Sequence, residues 1–477
     1  MYQLPALLPL RFCHSTGGYQ DLFSPNDHTY LTKVQYATEA DLELLLSRLR
    51  SARATMKAIP VRQRSSLLRL ASQRILENKD YLAWLISTEG GKPLRDSRVE
   101  VDRAAVTLDL CAEEALRSAG ETVPMQRTAA GENHLAFTLR DPIGVVLAIS
   151  AFNHPLNLIC HQVGSAIASG CPVVLKPAPA TPLCASKLDE IFREVGLPEG
   201  IFFVVHSEIP GVEKLLASSE FDYVSFIGSA AVGWSLRSKI APGTRLALEH
   251  GGQAPAIVRA DADLDLAIPS LVKGAFYHAG QVCVSTQRIF VAEPVYEKFL
   301  RGFIKATKLL QVGPATSERT DVGPLIRPKE VLRLQSWIQE AVNSGAAVES
   351  GNTVSGTFKQ YLDPTILTNV SRDDTLMKEE AFGPVVCVNS YRDETELLEY
   401  LDSNDYKFEA SLFTRDLARA MQIAESISTM TLVINNHSAF RVDNMPFGGH
   451  KLSGLGMGGV KYSVEEMTRV KQIIIRT

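Results

Sequence analysis

Apolar and polar positions in the first quarter of the chain recur every three to four residues, the period of helices with one buried face. Thr38-Glu39-Ala40-Asp41 reads as a capping box that opens a helix through about Met56. A second helix is expected over Val61 to Glu77 and a third over Tyr81 to Glu89, stopped by Gly90-Gly91. A long fourth helix runs from about Pro93 to Ser118, where two apolar stripes compete. One passes through Val99, Arg103, Val106 and Leu110 and would place Arg103 on an apolar face; the other passes through Val101, Ala105, Leu108 and Ala112 and leaves Arg103 exposed. Residues 11 to 37 read as short strands and turns, with a turn at Ser24-Pro25-Asn26-Asp27. Short alternating runs over 119 to 141, flanked by Val123-Pro124 and Ala130-Gly131-Glu132-Asn133, predict a projecting hairpin.

From Gly144 the pattern changes to short continuous apolar blocks separated by helical segments. Strands are expected at Gly144 to Ala151, Cys171 to Lys176, Ile201 to His206, Tyr223 to Gly228 and Thr244 to Leu248. Helices are expected at Pro155 to Ser169, from Thr181-Pro182, at Gly211 to Ser218 and at Ser229 to Ile240. Strands apolar on both faces, joined by crossover helices, predict a doubly wound parallel sheet whose ligands bind beyond the strands' carboxyl ends. After Asp261 the alternation restarts. Helices are expected near Leu264 to Ala279, Pro294 to Leu310, Lys329 to Ser344, Glu394 to Asp402 and Asp416 to Ile427. A loop-rich span precedes Pro364; strands are expected at Arg288 to Val291, Val385 to Val388 and Thr431 to Ile434, and an edge strand at Val470 to Arg476.

A length of 477 residues implies two or three domains, and 45% hydrophobic with 21% charged residues describes a soluble globular chain. The net charge of -4, with no Lys/Arg block, argues against nucleic acid as the main partner. No apolar run reaches the roughly 18 residues of a membrane span. The segment Met1 to Leu10 is interrupted by Pro5 and Pro9 and has no basic residue before it, so no signal peptide is expected. Seven scattered cysteines without a C-x-x-C pair suit a reducing cytoplasm and argue against a disulfide framework or a zinc site.

The candidate chemistry lies where expected strands end. Gly280-Gln281-Val282-Cys283 places a cysteine after a glycine; such a residue is either a small buried hydrophobe or, as a thiolate, a nucleophile for a carbonyl carbon. Asn153, in Ala151-Phe152-Asn153-His154-Pro155, is either a helix cap or a donor to a developing oxyanion. Lys176 in Lys176-Pro177-Ala178-Pro179 is placed to reach a ribose hydroxyl, and Gly228-Ser229 opens a helix whose free amides suit a phosphate. Glu249 in Leu248-Glu249-His250-Gly251-Gly252 is either a solvated turn carboxylate or a general base.

In chain order, Phe-Asn-His-Pro, Lys-Pro-Ala-Pro, Phe-Ile-Gly-Ser, Leu-Glu-His-Gly-Gly, Gly-Gln-Val-Cys, Glu-Glu-Ala-Phe-Gly-Pro and Met-Pro-Phe-Gly-Gly resemble the aldehyde dehydrogenase superfamily over nearly the whole chain. The 34-residue separation of Glu249 and Cys283 suits it as well. The resemblance implies an α/β fold: a Rossmann-type cofactor domain (1-119 with 142-249), an α/β catalytic domain (250-435) and a small β oligomerisation extension (120-141 with 458-477), assembled as a homodimer or homotetramer. It implies that Cys283 attacks the aldehyde, that the Asn153 amide and the Cys283 N–H hold the oxyanion, and that Glu249 activates the hydrolytic water. NAD or NADP would be held by Lys176, Gly228, Ser229, Glu380 and Phe382. No metal is implied.

Phe-Asn-His-Pro and Ser438-Ala439-Phe440-Arg441-Val442-Asp443 look most like the branch that oxidises lactaldehyde, glyceraldehyde phosphate and phosphonoacetaldehyde. On that likeness Arg103, His154 and Arg441 would bind the substrate's polar end, Arg103 by its spacing 50 residues before Asn153. The expected substrate is a short aldehyde with a hydroxyl or a compact anionic group. Four positions depart from the family's commonest pattern. Pro179 stands where many members carry a ribose-gripping glutamate, so NAD use with tolerance of NADP is expected. Gln162 and Gly458 stand where many members carry the lysine and glutamate thought to relay the proton of Glu249, and Val282 stands where phosphate-handling relatives often have an arginine. Two rival readings are a CoA-acylating enzyme, against which Glu249 counts, and a silent binding homologue, against which the intact set of Cys283, Glu249 and Asn153 counts.

Overall fold

The protein is described from a computed structural model covering residues 2–12 and 17–477. Residues 13–16, near the start of the expected strand-and-turn segment 11 to 37, lie outside the described residues. The N-terminal part forms a small sheet ordered Leu7–Leu8, Tyr30–Gln35, Tyr19–Phe23, followed by four helices, Glu39–Lys57, Val61–Glu77, Lys79–Gly90 and Leu94–Arg117. The first opens on the expected capping box: the Thr38 hydroxyl accepts from the Asp41 N–H at 3.2 Å, and the Asp41 carboxylate accepts from the Thr38 N–H at 2.9 Å. The third ends at Gly91 in the left-handed region, φ +69°. In the fourth, Val101, Ala105, Leu108 and Ala112 are buried while Val99 and Val106 are exposed, so the second stripe is the core face.

The first large sheet is ordered Gly454–Leu455, Arg245–Glu249, Tyr223–Ile227, Val146–Ile149, Val173–Lys176, Phe202–Val204. All pairs but the Gly454–Leu455 edge are parallel. The strand order reverses between Val146–Ile149 and Tyr223–Ile227, the switch point at which doubly wound sheets open a crevice. Alternate residues face opposite ways: Val146 and Ala148 pack with the helices Val61–Glu77, Leu94–Arg117 and Asn157–Ser169, whereas Val145, Leu147 and Ile149 pack with Leu42, Leu45 and Leu49. The helix after Gly228-Ser229 spans only Ala230–Leu236, shorter than the expected Ser229 to Ile240.

The second large sheet is ordered Ala347–Ser350, Thr365–Thr368, Val385–Tyr391, Arg288–Ala292, Pro255–Val258, Glu409–Phe413, Thr431–Ile434, parallel except at Ala347–Ser350. Strands also cross the span before Pro364 that the sequence left as loop. The third sheet joins Thr468–Arg476, His134–Pro142 and Thr122–Val123, antiparallel, with Thr468 opposite Pro142 and Arg476 opposite His134. The closing strand is an edge strand, and Val470, Ile474, Ile475, Leu135 and Leu139 leave this small sheet with exposed apolar positions. The helix Val460–Glu466 precedes it and packs through Val460 and Val464 into the core of the first sheet. No helix among the described residues is long and apolar enough to cross a membrane, and no group of acidic, histidine and cysteine side chains there is arranged for a metal.

Candidate active site

A cleft of about 970 Å³ opens at the switch point of the first sheet and is walled on its other side by the second sheet's loops. All the residues singled out from the sequence line it: Cys283, Glu249 and Asn153; Lys176, Gly228, Ser229, Glu380 and Phe382; Arg103, His154 and Arg441. They come from segments far apart in the chain, and the carboxyl ends of parallel strands bring them together.

The cysteine loop is built by an interrupted helix. The expected helix to Ala279 stops at Phe276 because His278, Ala279 and Gly280 follow in the left-handed region, at φ +50°, +54° and +68°. Such conformations are costly without glycine and persist where the surroundings enforce them. A Cβ on Gly280 would stand 2.1 Å from the Gly383 carbonyl oxygen, so glycine is needed there for space as well. Gln281 then anchors the loop, its side-chain oxygen accepting from the Ile326 N–H at 2.9 Å. The Cys283 carbonyl accepts from the Gly252 N–H at 3.1 Å. Burial pushes the Cys283 thiol well up, and the carboxyls of Glu380, Glu409 and Glu249 add to this while Arg441 opposes it.

The Asn153 amide donates to the Gln281 carbonyl at 2.9 Å, two residues before the thiol. The helix-cap alternative does not hold. The helix begins at Asn157, and its first amides, those of Leu156 and Asn157, donate at 2.9 and 3.1 Å to the Glu100 carboxylate, which is ion-paired to Lys92. Both members of that pair are fully buried. Glu249 ends the strand Arg245–Glu249, and burial pushes its carboxyl up to about 7 with Arg441 opposing. A Cβ on Gly458 would stand 2.3 Å from one of its oxygens, so a larger residue there would have to displace the carboxyl.

At the other end of the cleft, Glu380 has its carboxyl pushed up to about 8 by burial, with Arg333 opposing. Its Oε1 is buried without a partner, and Gly251 leaves the space: a Cβ there would lie 1.8 Å from that oxygen. Phe382 sits at φ +46° with its ring edge-on to Phe152 at 5.9 Å. Burial brings Lys176 down to about 8. Pro179 shares this end with an ion pair that sequence reading missed, Lys239–Glu213 at 2.7 Å. An unmet carboxylate oxygen on the wall of a deep cleft that also carries Lys176 and the Gly228-Ser229 turn fits a group rich in hydroxyls and phosphate, as a dinucleotide is.

The polar end of the cleft is a charge network. Arg103 forks onto Asp443 with bonds of 2.8 and 3.0 Å. Asp443 also accepts from Asn157 at 3.0 Å and from His161 Nε2 at 2.9 Å. Burial acts to raise Asp443, but these partners outweigh it and hold the carboxylate far below its usual range. Arg103 is thus neither free nor simply exposed; most of its charge is committed. Arg441 stacks over the Phe447 ring, 3.4 Å from its centre, and forms no ion pair among the described residues; its Nε is buried without a partner. His154 touches the Tyr277 hydroxyl at 3.4 Å, and burial, then Lys92 and Arg103, hold its ring well below the usual imidazole range, hence neutral. Sequence reasoning missed Tyr277, Asp443 and His161 as parts of this end; the one available signal was Asp443, two residues after Arg441.

Two facing α/β layers, with a deep cleft at the switch point of a parallel sheet, define a dinucleotide-binding enzyme architecture. The chain belongs to the aldehyde dehydrogenase family, whose family model matches residues 12–473. It is 44% identical over 414 residues to a 3-sulfolactaldehyde dehydrogenase of Priestia aryabhattai, covering 87% of this chain and 86% of that one. It is 37% identical over 461 residues to a lactaldehyde dehydrogenase of Methanococcus maripaludis, covering 95% and 97%. Among solved structures, aldehyde dehydrogenase 21 of Physcomitrella patens, in complex with the reaction product succinate, superposes with a TM-score of 0.95 at 32% identity, covering 99% and 98%. The glyceraldehyde-3-phosphate dehydrogenase GapN of Methanocaldococcus jannaschii, complexed with NADP, gives 0.91 at 34% identity, covering 96% and 99%.

Proposed function

We propose that this aldehyde dehydrogenase, which uses NAD or NADP, oxidises a short polar or anionic aldehyde to its carboxylic acid through a covalent adduct on Cys283. The observation that carries the substrate class is Arg441, a guanidinium in the cleft with no acidic partner. The relatives named for sulfolactaldehyde and lactaldehyde support the same class.

Asn153 and the Cys283 N–H hold the aldehyde oxygen as Cys283 Sγ adds to its carbon, a donor pair aimed at charge that develops only in the transition state. Glu380, Phe382, Lys176, Gly228 and Ser229 would hold the nicotinamide cofactor, which when bound supplies the hydride acceptor. Glu249 then takes a proton from water as that water attacks the thioester, freeing Cys283. Arg441, the neutral His154 ring and the remaining donors of Arg103 hold the substrate's polar end away from the thiol. Residues 1-119 with 142-249 form the cofactor domain, 250-435 the catalytic domain, and 120-141 with 458-477 an extension whose exposed apolar strands join a second copy in a homodimer or homotetramer; sedimentation as a monomer overturns that last point. The function is tested by cofactor reduction with NAD and NADP over sulfonated, carboxylated, hydroxylated and plain alkyl aldehydes, with and without CoA. Turnover without CoA and a preference for charged or hydroxylated substrates are expected. A requirement for CoA, or a preference for hexanal over every polar aldehyde, overturns the reading.

A further inference from the structure

Glu249 faces two cavities. One is the cleft; the other, behind it, has a volume of about 20 Å³ and is lined by Glu249, Gly458, His161, Gln162, Tyr223 and Ser225 among others. That is room for a single water, which needs two to four polar partners to be held. Two are present and unmet: Gln162 Oε1 and His161 Nδ1 are both buried without a hydrogen bond. Gln162 Nε2 donates to the Ser225 carbonyl at 3.2 Å and the Ile149 carbonyl at 3.4 Å, which can only accept, so the amide orientation that leaves its oxygen unmet is fixed. The His161 tautomer is fixed as well. Asp443 is ionised beneath the Arg103 fork, so its 2.9 Å contact with His161 Nε2 requires the proton there and leaves a lone pair on Nδ1.

We propose that His161 is the proton acceptor behind Glu249, reached through one water in the small cavity; this rests on the role given to Glu249 above. As the hydrolytic water forms its bond to the acyl carbon and the carbon–sulfur bond breaks, Glu249 gains the water's proton. That proton passes to the cavity water, and one of the cavity water's own protons moves to Nδ1. The imidazolium is stabilised by Asp443, as a carboxylate stabilises a histidine that works as a base. Once the acid has left and solvent fills the cleft, the proton passes back through the same water to Glu249 and from Glu249 to that solvent, so Glu249 begins the next cycle ionised. Burial above all, then Arg441 and Arg103, hold the His161 ring below its usual imidazole value despite Asp443, so the proton passes through Nδ1 and does not rest there. Tyr223 shares the cavity, and its phenol, pushed up by burial, stays protonated.

The test uses rapid mixing of the full-length enzyme with aldehyde and cofactor. His161→Gln keeps a donor at the Nε2 position for Asp443 and removes the basic nitrogen. The burst of reduced cofactor should be retained while the steady rate falls about tenfold or more. Hydroxylamine, which attacks a thioester without a base, should restore the steady rate. Ser463→Leu fills the cavity from the helix Val460–Glu466 while leaving both members of the His161–Asp443 pair in the chain, and should give the same split. An unchanged steady rate in both variants, or burst and steady rate falling together in both, overturns the relay. Glu249→Gln is the control: if it too leaves the steady rate unchanged, the role of Glu249 has failed, whereas a slowed Glu249→Gln beside two unaffected variants defeats only the relay.

Discussion

Replacing Arg441 with alanine tests the substrate class most directly. Three cations lie around the polar end of the cleft. Lys92 is paired with Glu100 and Arg103 with Asp443, while Arg441 has no carboxylate within ion-pair distance among the described residues. A substrate anion therefore meets one uncompensated charge. Losing one partner of a desolvated, hydrogen-bonded charge pair costs about 2 to 5 kcal/mol. The cleft admits water on one side, so the low end applies, and about 2 kcal/mol corresponds to roughly thirtyfold in kcat/KM. Propanal has no group for Arg441 to hold, so its kcat/KM should change by less than about threefold. Arg441→Lys keeps the charge but not the planar fork or its stacking on Phe447, and should fall between the two. The assay follows cofactor reduction for a sulfonated or carboxylated aldehyde and for propanal, under subsaturating conditions, in all three proteins. Equal losses on the two substrates would show that Arg441 acts by holding the loop together, and the polar-pocket argument would be wrong.

Cys283→Ala should abolish oxidation while cofactor affinity, read by fluorescence titration, stays near normal; residual turnover well above background removes the cysteine from its role. Glu249→Gln should keep a burst of reduced cofactor followed by a slow steady rate. Because burial lifts the Glu249 carboxyl to about 7 and the base works only when ionised, wild-type hydrolysis should fall as pH drops below that value, and this acid limb should be missing from Glu249→Gln. Glu100→Gln leaves the fully buried Lys92 without its counter-charge and should cost about 3 to 5 kcal/mol of stability by chemical denaturation, with the apolar pair Lys92→Met/Glu100→Leu much closer to wild type.

The regular elements were readable because their periods are local. The capping box at Thr38 and the apolar strand blocks need nothing beyond their own neighbours, and the crossover pattern then places the cleft at the strands' carboxyl ends. What could not be read depends on partners distant in sequence. Arg103 reads as an exposed helix residue or a substrate ligand on spacing alone; its partner Asp443 lies 340 residues away. The start of the Asn157–Ser169 helix is set by Glu100, 56 residues before Leu156, so Asn153 was freed from the capping role that local rules favour for it. The break after Phe276 was missed because His278 and Ala279 are not residues that announce a left-handed backbone. His161 sits within an entirely buried helix, where a polar side chain gives no periodic signal.

The charges of the site also act on one another, with a consequence for its pH dependence. Burial pushes Cys283, Glu249 and Glu409 toward their neutral forms, and in each case Arg441 is the group that opposes this. An anionic substrate bound to Arg441 cancels part of that opposing charge. The sign follows: with the cation offset, the Glu249 carboxyl moves up from its resting value of about 7, and the fraction ionised at a given pH falls. A neutral aldehyde leaves Arg441 uncompensated. The acid limb of the hydrolytic rate should therefore lie at higher pH for a sulfonated or carboxylated aldehyde than for propanal, provided hydrolysis limits both. In Arg441→Ala, which removes the opposing cation, the propanal limb should itself be displaced upward from its wild-type position. Coincident limbs in the wild-type enzyme would mean that the substrate's charge does not reach Glu249, and that Arg441 binds its anion too far from the base to couple the two.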